Sequence, residues 1–324
     1  MIEKIIVENQ KAISVYSTQG NIYEGLPSSR INKYKASVTI MDGCDKFCTY
    51  CIVPYTRGRQ RSRLMEDVLA ECRQLKEEGY KEVLLIGQNV NAYGKDIEGN
   101  GDFAKLLEEV AKIGIDRIRF ITSHPWDFTD EMIDAIAKYD NIMPFVHLPL
   151  QSGSNEILKL MGRRYTVEEY LALYDKLRSR VKDIVITTDI IVGFPNETEE
   201  QFEETLKVVE YCKYDSAYSF IFSPRPGTPA ARMEDNVSDE EKKARLLRLN
   251  ERLDYYSKES NKRMEGQIVD VLIDGPSKTN PEIYCGYTRG QKLVNFVLKE
   301  GLVGDIINVK ITEAKKNSLN GIQV

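Results

Sequence analysis

The run GCDKFCTYC sets Cys44, Cys48 and Cys51 in a CxxxCxxC triplet, three thiolates for a metal and no fourth beside them. A closed structural zinc site takes four protein ligands, and a fully ligated iron–sulfur cluster takes one cysteine per iron. Three cysteines on a 4Fe–4S cube leave one iron open to a small molecule. Two other uses of the triplet stay open. A disulfide would strand one thiol, in a chain that nothing marks as secreted. Zinc would need a remote fourth ligand, and the two histidines, His124 and His147, lie in SHP and HLPLQSG, without finger spacing.

Directly after the triplet, YTRGRQRSR places Arg57, Arg59, Arg61 and Arg63 at alternate positions. Such a run is either a solvated face or a set of guanidinium forks for carboxylate or phosphate, and its place beside a metal-binding motif favours the second. The 324 residues carry a formal net charge of -5, which argues against a protein basic all over, although a sum conceals local patches. With 42% hydrophobic residues, the length suits one large and one small domain. Six cysteines without a regular framework, no apolar leader and no run of membrane-spanning length predict a reducing compartment, with the cytoplasm as the default.

The elements that must position these residues alternate. Six strand-like runs, ASVTIMDGC, EVLLIGQN, RIRFITS, FVHLPLQS, IVITTDIIVG and SAYSFIFS, are separated by amphipathic helical runs, the pattern of βα units with parallel strands. In the helix expected at 64–78, Leu64, Val68, Cys72 and Leu75 share one face. Polar residues recur at the strand ends: Gln88 and Asn89, Ser123 and His124, Gln151 and Ser152, Asp189 with Gly193, and Ser223 with Arg225. In βα barrels the site is built there, so the fold class predicted is α/β, an incomplete barrel of six units open on one side. A charged helix over 238–264, with Leu246, Leu249, Leu253 and Tyr256 at helical spacing, leads out of it. Five short β runs after residue 265 then predict a small β-barrel of a kind that often binds nucleic acid, although its charges balance. Residues 1–35 hold two β-like runs, KIIVEN and NIYEG, and a polar linker.

The long motifs GCDKFCTYCIVPYTRGRQRSR, LIGQNVNAYG, ITSHPWDF, HLPLQSGSNEILKLMGRRYT, DIIVGFPNET and YSFIFSPRPGTPAA resemble the radical S-adenosylmethionine methylthiotransferases of the MiaB type. The tail from Lys292 resembles the family's TRAM domain, a β-barrel that grips tRNA. The resemblance spans nearly everything from residue 36 onward. It implies a TIM-like radical SAM barrel over 36–264, a TRAM barrel over 265–324, and in 1–35 the end of a further N-terminal domain with its linker. The activity it implies is insertion of a methylthio group at carbon 2 of isopentenyladenosine at tRNA position 37. One S-adenosylmethionine would donate methyl and a second would make a 5′-deoxyadenosyl radical. The implied partners are the tRNA anticodon stem-loop and an electron donor such as flavodoxin or ferredoxin, with no membrane, and the expected state is a monomer.

By the same resemblance, Cys44, Cys48 and Cys51 hold a 4Fe–4S cluster, and Arg163 in MGRRYT meets the S-adenosylmethionine carboxylate. Its alternative is an ordinary arginine at a helix end. Gln88, Asn89, Ser123, Gln151, Ser152 and Asp189 are candidates for hydrogen bonds to the same cofactor, some of them to prove structural. Gly193 in DIIVGFPNE resembles the position where backbone meets adenine. Phe47 and Tyr50 either shield the cluster, stack on adenine or pack the loop, and no acid–base residue is assigned, His124 and His147 being expected to be structural. The family's N-terminal domain carries three more cysteines and a second cluster. Here Cys72 and Cys212, the latter after core-like Val208 and Val209, read as packing residues, as does Cys285. The expectation is a truncated form, with two alternatives: a single-cluster enzyme that cleaves S-adenosylmethionine without inserting sulfur, and a non-catalytic tRNA-binding module. Three ligands predict about four irons per chain after anoxic reconstitution; an iron assay giving eight contradicts the one-cluster expectation.

Overall fold

The computed structural model describes residue 30, residues 32–278 and residues 280–324. The β runs expected at 4–9 and 21–25 lie outside the described residues. Six parallel strands follow in chain order: β1 (Lys35–Thr39), β2 (Glu82–Ile86), β3 (Arg117–Phe120), β4 (Phe145–His147), β5 (Val185–Val192) and β6 (Ser216–Ile221). β1, β2 and β3 form one sheet and β4, β5 and β6 another. A parallel bridge between Ile118 and Ile142, on the segment entering β4, joins them. Among the described residues β1 and β6 are not paired, so the barrel is incomplete on that side.

Between the strands run α1 (Met65–Glu77), α2 (Phe103–Lys112), α3 (Asp130–Lys138), α4 (Asn155–Leu160), α5 (Val167–Arg180) and α6 (Glu199–Cys212). Their starts are written locally. Thr166 with Glu169 and Thr198 with Gln201 form capping boxes on α5 and α6, and the side chains of Asp102 and Thr129 accept N–H bonds at the starts of α2 and α3. Val68, Cys72 and Leu75 of α1 are buried as the helical period predicts, but Leu64 is not. It precedes the helix in extended conformation and its side chain is exposed.

Period-two alternation divides the strand residues between core and lumen. In β5, Ile186, Thr188, Ile190 and Val192 are buried, while Val185, Thr187 and Asp189 line a cavity of about 610 Å³ inside the barrel. In β6 the inward set is Ser216, Tyr218 and Phe220. The two aromatics are exposed because they face this lumen.

Helix α7 (Asp239–Lys262), capped by Ser238, leads to the small barrel. Leu249 and Leu253 are buried and Leu246 and Tyr256 pack against the core as expected. Arg245, in the charged run of this helix, is fully buried, bonded to Glu197 at 3.0 Å and paired with Glu241. Five strands, β7 (Ile268–Pro276), β8 (Tyr284–Thr288), β9 (Leu293–Val297), β10 (Ile306–Ala314) and β11 (Leu319–Gln323), then close in the order β8-β9-β11-β10-β7. Val271, Ile273, Val294, Phe296, Val309, Ile311 and Leu319 fill its core.

The small barrel is locked under the N-terminal ends of the large barrel's strands. Arg117 of β3, fully buried, donates to the carbonyls of Tyr287 at 2.8 Å and Asp270 at 3.1 Å. Lys292 donates to the Asp215 carbonyl at 3.1 Å, and Tyr287, Gly290, Gln291 and Lys292 line the lumen at that end. Replacing Arg117 by Ala strands these acceptors and leaves a void, at a cost of about 3 kcal/mol. Arg117→Ala is therefore expected to lower the urea unfolding midpoint clearly, and an unchanged midpoint would contradict the interface described here.

Candidate active site at the barrel mouth

The cysteine triplet follows β1, and three features fix its loop. Gly43 precedes Cys44 at φ +74, and a Cβ there would lie 2.0 Å from the Arg59 carbonyl oxygen. Only glycine meets both conditions. Opposite it, the Cys44 N–H donates to Gly58 O at 3.2 Å. Thr49, between the second and third cysteines, donates its N–H to Met161 O at 2.9 Å and its hydroxyl to Leu160 O at 2.8 Å, at the end of α4. Its own carbonyl accepts from Ala230 N at 2.9 Å, beyond β6. The loop is thus tied to the middle and the last of the six units.

Cys48 is buried, and Arg163 reaches its sulfur at 3.6 Å. Arg163 follows α4 and is 8% exposed, so it is no ordinary surface arginine at a helix end. Its guanidinium also donates to Tyr165 Oη at 3.1 Å and to Pro149 O at 3.2 Å, and Tyr165 in turn donates to Leu150 O at 2.7 Å. Burial, with repulsion from the neighbouring sulfurs, pushes the Cys44 thiol up to about 11, and burial raises Cys51 also. Metal binding must displace those protons. Among the described residues no three His, Cys, Asp or Glu side chains converge on a single ion. A cube of four irons gives each cysteine its own iron, so its ligands need not converge.

The strand-end candidates fall into three groups. Gln88 Oε1, Asn89 Oδ1 and Ser123 Oγ are buried without a hydrogen-bond partner in the protein. Such orphaned polar atoms call for a ligand or water. Asp189 and His147 face the lumen, 3.3 Å apart, with His147 Nδ1 2.9 Å from Thr187 Oγ1. Gln151 through its main chain and Ser152 through its hydroxyl bond neighbouring backbone. Gln151, at φ 71, receives and donates main-chain bonds with β5 at 2.9 and 2.8 Å, and the fully buried Ser152 hydroxyl accepts from Ser154 N at 3.2 Å.

Gly193 carries a different constraint from the close approach to adenine that the resemblance implies. A Cβ on it would meet Lys242 Cγ at 2.3 Å, so the space above it belongs to α7. Its N–H donates to Glu197 Oε2 at 2.7 Å, and Glu197 is held by Arg245. Tyr50 packs beside Ile157, Met161, Phe194, Phe222 and Ala230, whereas Phe47 is exposed, with the Arg59 guanidinium 4.5 Å from its ring centre.

The arginine run does not act as one patch. Arg57 and Arg61 pair with Asp42 at 3.2 and 3.0 Å, Arg59 reaches Asp45 at 3.5 Å, and Arg63 turns inward to Glu71 at 2.7 Å. The residues that sequence reasoning missed gather around Asp127, which accepts from Lys46, Lys95 and Asn89 at 2.8, 2.6 and 2.7 Å. Burial alone would raise this carboxyl, and the three hydrogen bonds outweigh it and hold it below its ordinary range. His124 is buried beside Arg163, so burial and that charge hold its ring neutral, and its Nδ1 accepts the Trp126 N–H at 3.3 Å. Cys72 and Cys212 are buried in α1 and α6, and Cys285 is half-buried in β8.

The sequence matches the Radical SAM superfamily over residues 38–209 and the TRAM domain over residues 262–324. It is 54% identical over 325 residues to a tRNA-2-methylthio-N(6)-dimethylallyladenosine synthase of Geobacillus kaustophilus, a match covering 99% of this chain and 61% of that protein. A protein of the same name from Bacillus cytotoxicus is 56% identical over 313 residues, covering 95% of this chain and 61% of the relative. The chain therefore spans about 61% of the length of these curated relatives. Among solved structures it resembles TsrM, a radical S-adenosylmethionine methyltransferase from Kitasatospora setae bound to cobalamin and a 4Fe–4S cluster. That likeness has a TM-score of 0.52 at 20% identity and covers 67% of this chain and 43% of the other. It also resembles the coproporphyrinogen III oxidase HemN from Escherichia coli, with a TM-score of 0.51 at 14% identity, covering 79% of this chain and 67% of the other. At those identities the likeness is one of fold.

The loop geometry makes a test of its own. Gly43→Ala would force the backbone off Arg59, and iron bound after reconstitution is expected to fall by roughly half or more, because an alanine Cβ fits neither the space nor the dihedral. Circular dichroism should stay unchanged. Full iron loading in the variant would contradict this account of the loop.

Proposed function

The chain belongs to the Radical SAM superfamily, and we propose that it carries the radical-generating and RNA-binding parts of a tRNA methylthiotransferase. The substrate in this reading is isopentenyladenosine at tRNA position 37, methylthiolated at carbon 2. The single observation that supports it most is the pinned three-cysteine loop above a lumen, with Arg163 against Cys48 and the orphaned atoms of Gln88, Asn89 and Ser123 nearby. The identity of above 50% to methylthiotransferases named for tRNA supports the substrate class.

Cys44, Cys48 and Cys51 would hold one 4Fe–4S cluster, leaving one iron to S-adenosylmethionine. When bound and reduced, the cluster supplies the electron that cleaves the sulfonium bond and yields a 5′-deoxyadenosyl radical. The chain's own residues bind, orient and exclude water. Arg163, already fixed by Tyr165 and Pro149, presents its guanidinium to the cofactor's carboxylate beside Cys48. Gln88, Asn89 and Ser123 bond the cofactor's polar groups, and Gln151 and Ser152 shape the turn beneath it through backbone bonds. Asp189, with His147, offers an acceptor from the lumen wall. Substrate seated over the lumen would have to complete the exclusion of water from a reactive radical.

The domains proposed are the radical SAM barrel over 36–264 and the TRAM barrel over 265–324, the latter gripping the anticodon stem-loop. Flavodoxin or ferredoxin would supply electrons to a cytoplasmic monomer. No helix among the described residues is long and apolar enough to cross a membrane. Sulfur insertion needs the second cluster that the resemblance places in a further domain. The test follows the part these residues carry. Reconstituted chain with dithionite and S-adenosylmethionine is expected to release 5′-deoxyadenosine, and Cys48→Ala to abolish it. Absence of 5′-deoxyadenosine from an iron-loaded chain would overturn the proposal.

A further inference from the structure

Trp126, the one tryptophan of the chain, lies beyond β3 and is 43% exposed, an unusual position for so large an apolar ring. It is also held in place. Its backbone N–H donates to His124 Nδ1, and on the ring itself Lys46, from within the cysteine loop, sets its ammonium 4.0 Å from the ring centre while bonded to Asp127. Arg164 approaches the ring at 5.2 Å. That arginine adjoins Arg163, which touches Cys48, so both cations tie the indole to the cysteine loop. Arg164 is exposed and has no carboxylate partner among the described residues. On the same loop, exposed Phe47 and Arg59 form a second aromatic–guanidinium pair.

An exposed ring fixed in orientation, with an unpaired cation beside it, matches the chemistry of unpaired nucleotides. A base offers a π-face for the ring, and the phosphate beside it takes the guanidinium. We propose that Trp126 is a stacking platform for an unpaired base of the RNA loop next to the target nucleotide, with Arg164 on the adjoining phosphate. The inference rests on the tRNA-modifying reading above and adds to it the residue that seats the loop. The site lies on the large barrel, separate from the small β-barrel.

The probe is a synthetic RNA stem-loop carrying N6-isopentenyladenosine in its loop, titrated into the full chain by fluorescence anisotropy, with a fully paired duplex as control. The stem-loop should quench Trp126 emission and the duplex should not. Trp126→Ala is expected to weaken stem-loop binding about tenfold, since stacking on an aromatic side chain is sequence-tolerant but strong. The slope of log affinity against log salt should not change, because an indole displaces no counterion. Trp126→Phe should restore most of the affinity, showing that the ring is needed rather than the local fold. Arg164→Gln should flatten the salt slope by about one phosphate contact. If wild-type chain binds the stem-loop while Trp126 emission is unmoved and Trp126→Ala binds equally well, the platform is overturned and the tRNA reading stands. If the wild-type chain binds no RNA, both fall.

Discussion

Three thiols spaced along a loop make a cluster site only if the loop cannot relax, and the restraint on this one comes from Thr49. Its N–H, hydroxyl and carbonyl are all spent on Met161, Leu160 and Ala230, residues that arrive from units four and six of the barrel. A loop that begins after the first strand is thereby closed against the far side of an open sheet. The strand-end residues, the lumen and Arg163 gain their meaning from that closure. Without it the cysteines would swing free of the groups that face them.

The second constraint lies at the opposite end. An incomplete barrel leaves its lumen open at the N-terminal ends of its strands, and here the turn of the small barrel fills that opening. Buried Arg117 and Asp215 and half-buried Lys292 make the junction from charged groups, each bonded across or beside the interface. Removing one partner of such a network is far costlier than the network's net worth. The small barrel is thus part of the lumen's wall as well as a β-domain in its own right. At the mouth, Arg245 plays a comparable part: it holds Glu197, and Glu197 holds the Gly193 turn.

Much of this was legible in the sequence. The six parallel strands and the five strands of the small barrel lie where period-two and period-3.6 patterns place them, because burial acts on each residue locally. The cysteine triplet was legible because its spacing is short. What escaped was set by distant partners. Arg245 and Lys242 sit in a charged helix whose spacing points only to Leu246, Leu249, Leu253 and Tyr256 as packing residues, and the approach of Glu197, Glu241 and Asp235 takes the two cations inward. Gly193 reads as a place for a ligand to come close, and the structure fills that place with Lys242. The alternate arginines read as forks for carboxylate or phosphate, and the chain's own carboxylates, Asp42, Asp45 and Glu71, take them one by one. Leu64 fits the helical face but lies one residue before the helix begins. Trp126 lies in the motif ITSHPWDF, and its exposure shows only in three dimensions.

The central claim is that three cysteines hold a cluster whose fourth iron takes S-adenosylmethionine. Electron–nuclear double resonance on the reduced, reconstituted chain tests it most directly, using S-adenosylmethionine labelled with nitrogen-15 in its amino group and oxygen-17 in its carboxylate. The account predicts hyperfine coupling from both labels, lost in Cys48→Ala. A fully reduced cluster with coupling from neither label would contradict it.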